Sequence, residues 1–443
     1  MELLLHKMYI KSKYLLCACL VLMGTLVNAQ VTIQSPYSKF GIGNLKGTLL
    51  PQLRAMGGIS TAVFKPNYFN NINMQNPASY AGINTATLDM GMSGGFNWLA
   101  NQSQTENSFN AALSHVAMAF NVTPKSGMSF GVMPHSQLGY NFKNSTTIGT
   151  NPTNTKNVDY KYIGEGGVNK AYIGYGVQLG DHFRVGANLE YLFGKLEESR
   201  STEFINDPGS LNSRDQQKNS ISGTSFSYGL QYDYRFDSKT SLVIGYSGSS
   251  SSTLNSQKSQ TLTQYTKDDL GNEFTASDTL LFIENNASSI KMPLIHNFGV
   301  VLQKDNKWLV GLDYRLGRWA NFNVGGVNEG LQNTHGFSVG SQFTPDVNSI
   351  NSYLKRIDYR VGFQYDKTYI QMAGKDINQM AITAGVGLPL SSLARGAFYK
   401  MNITAELGQR GTIANGLLQE RYLNLHLSFT LNDGSWFRRF KFD

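Results

Sequence analysis

The chain has only two cysteines in 443 residues, Cys17 and Cys19, and 11 prolines. Beyond its first turns it therefore has no means of forming a disulfide framework or a thiolate metal centre. Charge is also scarce: Asp, Glu, Lys and Arg make up 15% of residues, against roughly 25% in an average soluble domain. The 38 basic residues outnumber the 30 acidic ones but form no run, whereas a nucleic-acid footprint is a patch or stripe on one element. No nucleic acid is expected as a partner. After residue 29 no stretch approaches the ~18 consecutive apolar residues of a membrane helix. What the chain has in excess is glycine, 45 residues, and aromatic side chains, 25 Phe, 23 Tyr and 4 Trp. With 41% hydrophobic residues it can bury a large core, which excludes disorder, and this mixture suits a chain made mostly of strands.

Lys7, Lys11 and Lys13 precede an apolar stretch from Tyr14 to Leu26 that closes on Val27-Asn28-Ala29. Small residues stand at the two positions a signal peptidase reads, so 1–29 is expected to be a signal peptide, removed with both cysteines. A lipoprotein box at Leu16-Cys17-Ala18-Cys19 is the rival reading; the apolar run before Cys19 is short for it and continues well past it. An exported chain without a membrane helix is either soluble or a membrane barrel.

Alternation decides between the two. Phe183, Val185, Ala187, Leu189, Tyr191 and Phe193 oppose Arg184, Gly186, Asn188 and Glu190. Even positions from Phe226 to Phe236 oppose Ser227, Gln231, Asp233 and Arg235; Val310, Leu312, Tyr314 and Leu316 oppose Asp313 and Arg315. Tyr359, Val361 and Phe363 oppose Asp358 and Arg360, and Leu425, Leu427 and Phe429 oppose Asn424, His426 and Ser428. In 128–142, Met128, Phe130, Val132, Leu138, Tyr140 and Phe142 share one expected face. Period two is that of a strand with a different solvent on each side. Fourteen such segments run from 84–97 to 418–431, joined by alternating short turns and longer polar stretches at 143–167, 201–219 and 256–290. The prediction is an all-β, 14-stranded antiparallel transmembrane β-barrel over 84–431, with a tail at 432–443. A soluble sandwich also alternates, but these apolar faces extend over ten or more residues and the opposite faces carry charges instead of a second core.

Residues 30–83 do not alternate and are expected to form an N-terminal plug in the lumen. They contain Ser38-Lys39-Phe40-Gly41-Ile42-Gly43, then Arg54-Ala55-Met56-Gly57-Gly58-Ile59-Ser60-Thr61-Ala62, then Asn76-Pro77-Ala78. This order resembles the N-terminal segment of the FadL-type outer-membrane transporters of hydrophobic compounds, with the chain's end looking like a Bacteroidetes member. The resemblance implies an outer-membrane location in a Gram-negative bacterium, with Ser38, Gly41, Gly43, Arg54, Ala55, Gly57, Ala62, Asn76, Pro77 and Ala78 as plug residues. It further implies passive uptake of hydrophobic compounds such as long-chain fatty acids or aromatic hydrocarbons, with outer-membrane lipid and a small hydrophobic ligand as partners. Phe40, Ile42, Leu49, Leu50 and Met56 are the plug residues placed to line a ligand pocket; packing against the wall is the plainer role for them. The same motifs resemble a related barrel that is a shuttle subunit of a Bacteroidetes protein secretion system. The alternative function is accordingly a non-transporting subunit of an outer-membrane secretion or assembly complex.

Catalysis and cofactors are not expected. The inward charges Arg184, Glu190, Asp233, Arg235, Asp313, Arg315, Asp358, Arg360 and Glu406 read as lumenal ion pairs, since buried charges need partners. The histidines are scattered without metal-ligand spacing. Ser114 and His115 are adjacent, and on a regular strand they point to opposite faces, which argues against a catalytic pair.

Overall fold

The structure, a computed structural model, describes residues 35–434 apart from 103, 150–154, 206, 208, 269, 275–277 and 391–396. The expected signal peptide, and the expected tail from 435 onward, lie outside the described residues. Sixteen strands of ten residues or more follow one another among the described residues. They are β1 Ala86–Ala100, β2 Thr105–Thr123, β3 Ser126–Ile148, β4 Lys156–Leu179, β5 Phe183–Phe204, β6 Asn212–Arg235, β7 Thr240–Ser249 and β8 Thr253–Tyr265. Then come β9 Asp278–Lys291, β10 Ile295–Lys304, β11 Trp308–Gly317, β12 Thr334–Phe343, β13 Asp358–Met372, β14 Lys375–Leu390, β15 Ala397–Gly411 and β16 Gln419–Asp433.

Fourteen of them form a closed antiparallel ring, β1 to β7 and then β10 to β16, sealed by β16 on β1 from Asp433↔Ala86 to Gln419↔Ala100. Closure removes bare edges from the oily layer, where an unpaired backbone group costs several kcal/mol, except along one stretch of β2 above Val116. Alternation sets the two faces: Leu189, Tyr191 and Phe193 point outward and stay exposed, whereas Glu190 and Leu192 between them, and Arg184 and Asn188 before them, are buried. The inward charges pair, Arg184 with Asp233 at 3.3 Å, Lys170 with Glu190 at 3.2 Å, Arg315 with Asp366 at 2.8 Å and Arg360 with Asp358 at 2.9 Å.

The structure departs from the sequence reading in two places. The stretches 143–167, 201–219 and 256–290 are for the most part strand, not loop. β5 has 22 residues, yet its outward oily run ends at Phe193, and about 9–11 tilted residues suffice to cross a bilayer. The rest of β5 stands outside the membrane, together with the upper parts of β3, β4 and β6 and the hairpin β8–β9. There β8 pairs with Asn212–Ser222 of β6, while β7 pairs with Ser227–Arg235 below. The result is a six-stranded outer sheet in the order β3-β4-β5-β6-β8-β9. By the rule that short turns face the periplasm, this sheet is extracellular.

The second departure lies in β3. His135 is an extra residue between Pro134↔Asn169 and Ser136↔Val168. A one-residue shift exchanges the faces of everything after it. Phe130 and Val132 therefore face lipid, but Leu138 and Tyr140 turn inward and are buried at 4% and 1% exposure.

Residues 35–85 hold a two-residue strand at Asn44–Leu45, a one-turn helix at Pro51–Arg54 and 3-10 turns at Pro36–Lys39 and Pro77–Gly82. This segment touches inward faces on strands all round the ring. Where its backbone comes closest the wall has glycine: a Cβ on Gly340 or Gly362 would collide with Met56 or Gly57, one on Gly245 with Thr61, and one on Gly186 with Pro77. Gly57 itself has φ +67° and lies against Phe363 and Val339 backbone, so both its conformation and its surroundings require glycine. Polar wall groups satisfy the segment's backbone. Asp313 Oδ2 accepts from the N–H groups of Ser60 and Thr61, both at 2.9 Å, and from the Thr61 hydroxyl at 2.8 Å. Thr383 accepts from Gly57 N–H at 2.8 Å, and Thr404 donates to Pro51 O at 2.8 Å.

Candidate functional site

The ladder between β2 and β3 starts at Thr123↔Ser126 and ends at Val116↔Val132. Above it, Thr105 to His115 pair with β1 on one side and with no described strand on the other. Two irregularities make this seam. One is the extra residue His135 in β3; the other is Ser114 in β2, which is skipped between Gly91↔His115 and Met92↔Leu113.

The chain's own beginning takes the place on β3 that β2 leaves. Asn44 and Leu45 pair with Gln137 and Ser136, Lys46 N–H donates to His135 O at 3.0 Å, and Ser35 N–H donates to Gly139 O at 2.9 Å. Ser38 Oγ reaches Gly139 O at 3.0 Å, and Ser136 Oγ donates to Ile42 O at 2.7 Å. Between this segment and β2 lies a cavity continuous with the outside and lined by Asn110, Leu113 and Ser114 on one side and Lys46 and Arg54 on the other. A second cavity lies across the Asn44 to Leu49 turn and is lined by Asp313, Arg315, Asp366, Trp319 and Tyr369.

The first cavity is lined mainly by polar groups, the second by a mixture of polar and apolar ones. Arg54 donates to the carbonyls of Leu49, at 3.0 Å, and Lys46, and sits 4.0 Å from Glu406. Arg410 donates to Asn44 at 2.8 Å and Gln379 at 3.0 Å, with Glu420 at 3.9 Å. Lys46 Nζ has no hydrogen bond or ion pair among the described residues. Burial pushes its pKa down to about 8, and Arg54 and Arg410 add to the shift. Such a lining holds water, ions or the polar end of an amphiphile. Above the cavities Tyr37, Ile42, Tyr140, Trp319, Phe322 and Tyr369 close into an apolar roof.

At the seam the structure overturns one expectation. The bulge turns Ser114 inward, so its Oγ lies 2.8 Å from His115 Nδ1, and His115 Nε2 lies 2.7 Å from Asp89, which also accepts from Thr430 at 2.7 Å. The imidazole thus ties β2 to β1 and β16, and it occupies the space that a Cβ on Gly91 would need.

The five residues expected to line a ligand pocket do not share one. Ile42, with Phe40 packed against it, belongs to the apolar roof; Leu50 packs with Ile72, Met74 and Tyr80; Met56, with Leu49 beside it, packs with Leu53, Ile59, Val243 and Val301. Leu49 and Leu50 also border the side cavity. Of the motif residues, Ala55, Ala62, Asn76 and Ala78 are fully buried, and Gly41 and Gly43 have φ +66° and +97°. Asn76 donates to Thr61 O at 2.6 Å and to Leu230 O at 3.2 Å, and accepts from Ala78 N–H at 3.1 Å. Sequence reasoning missed Lys46, Gln379, Arg410 and Glu420 as cavity residues. The one available signal for the seam was Pro134 inside a strand pattern, because proline cannot donate to a ladder. No group of three or more His, Cys, Asp or Glu able to hold a metal occurs among the described residues, and no described helix is long and apolar enough to cross a membrane.

Solved structures share this architecture. The Pseudomonas putida toluene transporter TodX superposes with a TM-score of 0.55 at 15% identity, over 89% of this chain and 100% of that one. A Pseudomonas aeruginosa FadL homologue gives 0.55 at 11% identity, over 89% and 99%. The CymD monoaromatic hydrocarbon channel gives 0.53 at 12% identity, over 87% and 97%. At these identities the likeness is one of fold: an outer-membrane β-barrel of the kind used by channels for hydrophobic compounds. No curated protein matches by sequence. A family model, BamG, matches residues 10–443.

Proposed function

The chain belongs to the BamG family, and from that premise we propose that it is a non-enzymatic barrel subunit of an outer-membrane protein secretion or assembly complex, built on the fold of a hydrophobic-compound channel. The observation that carries this reading is the six-stranded sheet standing clear of the membrane, which takes about half the length of β5 and has no evident use in moving a small solute. The polar lining of the cavity beside β2 supports it, since an apolar solute gains little from charged and amide surroundings. The family match hints in the same direction.

The seam between β2 and β3 favours a second reading, passive uptake. A small hydrophobic molecule, such as a fatty acid or an aromatic hydrocarbon, would leave sideways into outer-membrane lipid past Leu45 and Leu113. In that case residues 35–85 act as the plug, and Phe40, Ile42, Leu49, Leu50 and Met56 are the apolar groups that would move to admit the ligand. Purification in mild detergent separates the two. Stoichiometric partner proteins support the first reading; a lone protein carrying a co-purified lipid or hydrocarbon supports the second.

A further inference from the structure

The outer sheet ends at β9, and the geometry points to this edge as a docking site for an extended segment of a partner protein, which would add a seventh strand. The inference rests on the reading of the chain as a complex subunit. β9 pairs with β8 from Asp278↔Gln264 to Lys291↔Thr253. On its other side, among the described residues, Ile290 and Lys291 pair with the short strand Asn323–Val324, and Ser289 O accepts from Gly325 N–H at 2.7 Å. Asp278 to Ser288 thus present backbone donors and acceptors to solvent, and the group that matches such a row is another extended polypeptide.

Sheet edges are normally blunted by charge, proline or a bulge. Here the ladder is irregular at two places, with register shifts between Thr279 and Leu281 and between Ile283 and Asn286, the latter with φ +51° at Asn285. Between the two shifts Leu281, Phe282 and Ile283 keep regular register without charge or proline, and with Leu280 before them they are apolar on both faces and 52%, 38%, 65% and 36% exposed from Leu280 to Ile283. Lipid does not cover them, because they lie above the oily band. The platform is rigid at this end. Glu203 of β5 accepts from Lys161 of β4 at 2.6 Å, from Lys267 at 2.7 Å and from Tyr265 of β8 at 2.9 Å, so little order would be lost on docking.

Charge selects the occupant. A second copy in the same membrane is related by rotation about the membrane normal, which lays β9 parallel to its mate and sets Asp278 beside Asp278 and Glu284 beside Glu284. Like charges directly opposite each other destabilise a strand pair. The fitting segment is instead apolar at its centre and basic at the ends that meet Asp278 and Glu284.

The test places a photo-crosslinking amino acid at Phe282 of the full-length protein in intact cells, and follows amide exchange of 278–283 in the purified complex and in the protein alone. Expected are an adduct to a different polypeptide, through a peptide with basic residues flanking apolar ones, and amides at least about tenfold slower in the complex. Leu281→Lys with Ile283→Lys, which leaves the ring and the crosslinking position untouched, should abolish both. An adduct only to a second copy or to lipid, or unchanged exchange within an intact complex, overturns the docking edge while leaving the subunit reading in place. Recovery of the protein without any partner overturns the subunit reading itself.

Discussion

Asp313 shows how single side chains hold the segment at 35–85. One of its oxygens accepts three donors from Ser60 and Thr61 in a buried setting, and hydrogen bonds to a charged group contribute about 1.5–3 kcal/mol each, not additively. Asp313→Ala should therefore cost about 2–4 kcal/mol in urea unfolding of the detergent-solubilised protein and expose the Ser60–Thr61 backbone to protease, with Asp313→Asn milder. Glu203 belongs to the extracellular sheet and gives a pH dependence. Burial acts first and pushes its carboxyl up, but the bonds from Lys161, Lys267 and Tyr265 outweigh it and hold the pKa down, from 4.5 to about 2. A depressed carboxyl contributes stability that is whole above pH 4.5 and lost as the pH falls through 2. Amide exchange in β4, β5 and β8 should accordingly quicken below pH 4.5, and Glu203→Gln should remove that dependence. At this scale the sequence was informative about kind and silent about partner. It showed that Asp313, Asp358 and Arg360 face inward, because their neighbours are oily. It could not show that Asp313 binds backbone 250 residues away, since only closure of the ring brings Ser60 there.

Among the elements, those with a different solvent on each side were legible and the others were not. β5 reads as a strand over 183–200, because lipid and lumen impose period two on its first half. Most of β8, and β9 up to 290, have water on the outer face and polar contacts within, so their pattern fades into that of a loop. β3 failed differently: its period is intact, but His135 reverses the phase, and no local residue except Pro134 announces it. Two tests belong here. Replacing Asn76 and Pro77 with Ala removes the bonds to Thr61 and Leu230, and single-channel conductance should rise; unchanged conductance means that this stretch blocks nothing. Gly362→Leu places a side chain against Met56 and Gly57. The variant should lose the gel-mobility shift on heating that marks a closed barrel, or keep it with the early segment displaced and open to protease.

For the whole molecule, the assignment of oily faces to lipid predicts that the protein stays monodisperse only with an amphiphile, as light scattering in detergent and in plain buffer would register. The number of ring strands was readable because each crossing repeats the same two-solvent pattern. The cavities were not, since they draw on residues 44–54, 110–115, 379 and 406–426, which share no spacing. The glycines that meet the early segment raise a question of order. A hoop whose inner surface is shaved to fit its own leading thread cannot be threaded once joined, because β1 emerges from that thread and is itself half of the closing joint with β16. The last strands must therefore wrap around a segment already in place, and a chain that misplaces residues 35–85 would have nothing of the right shape to close upon.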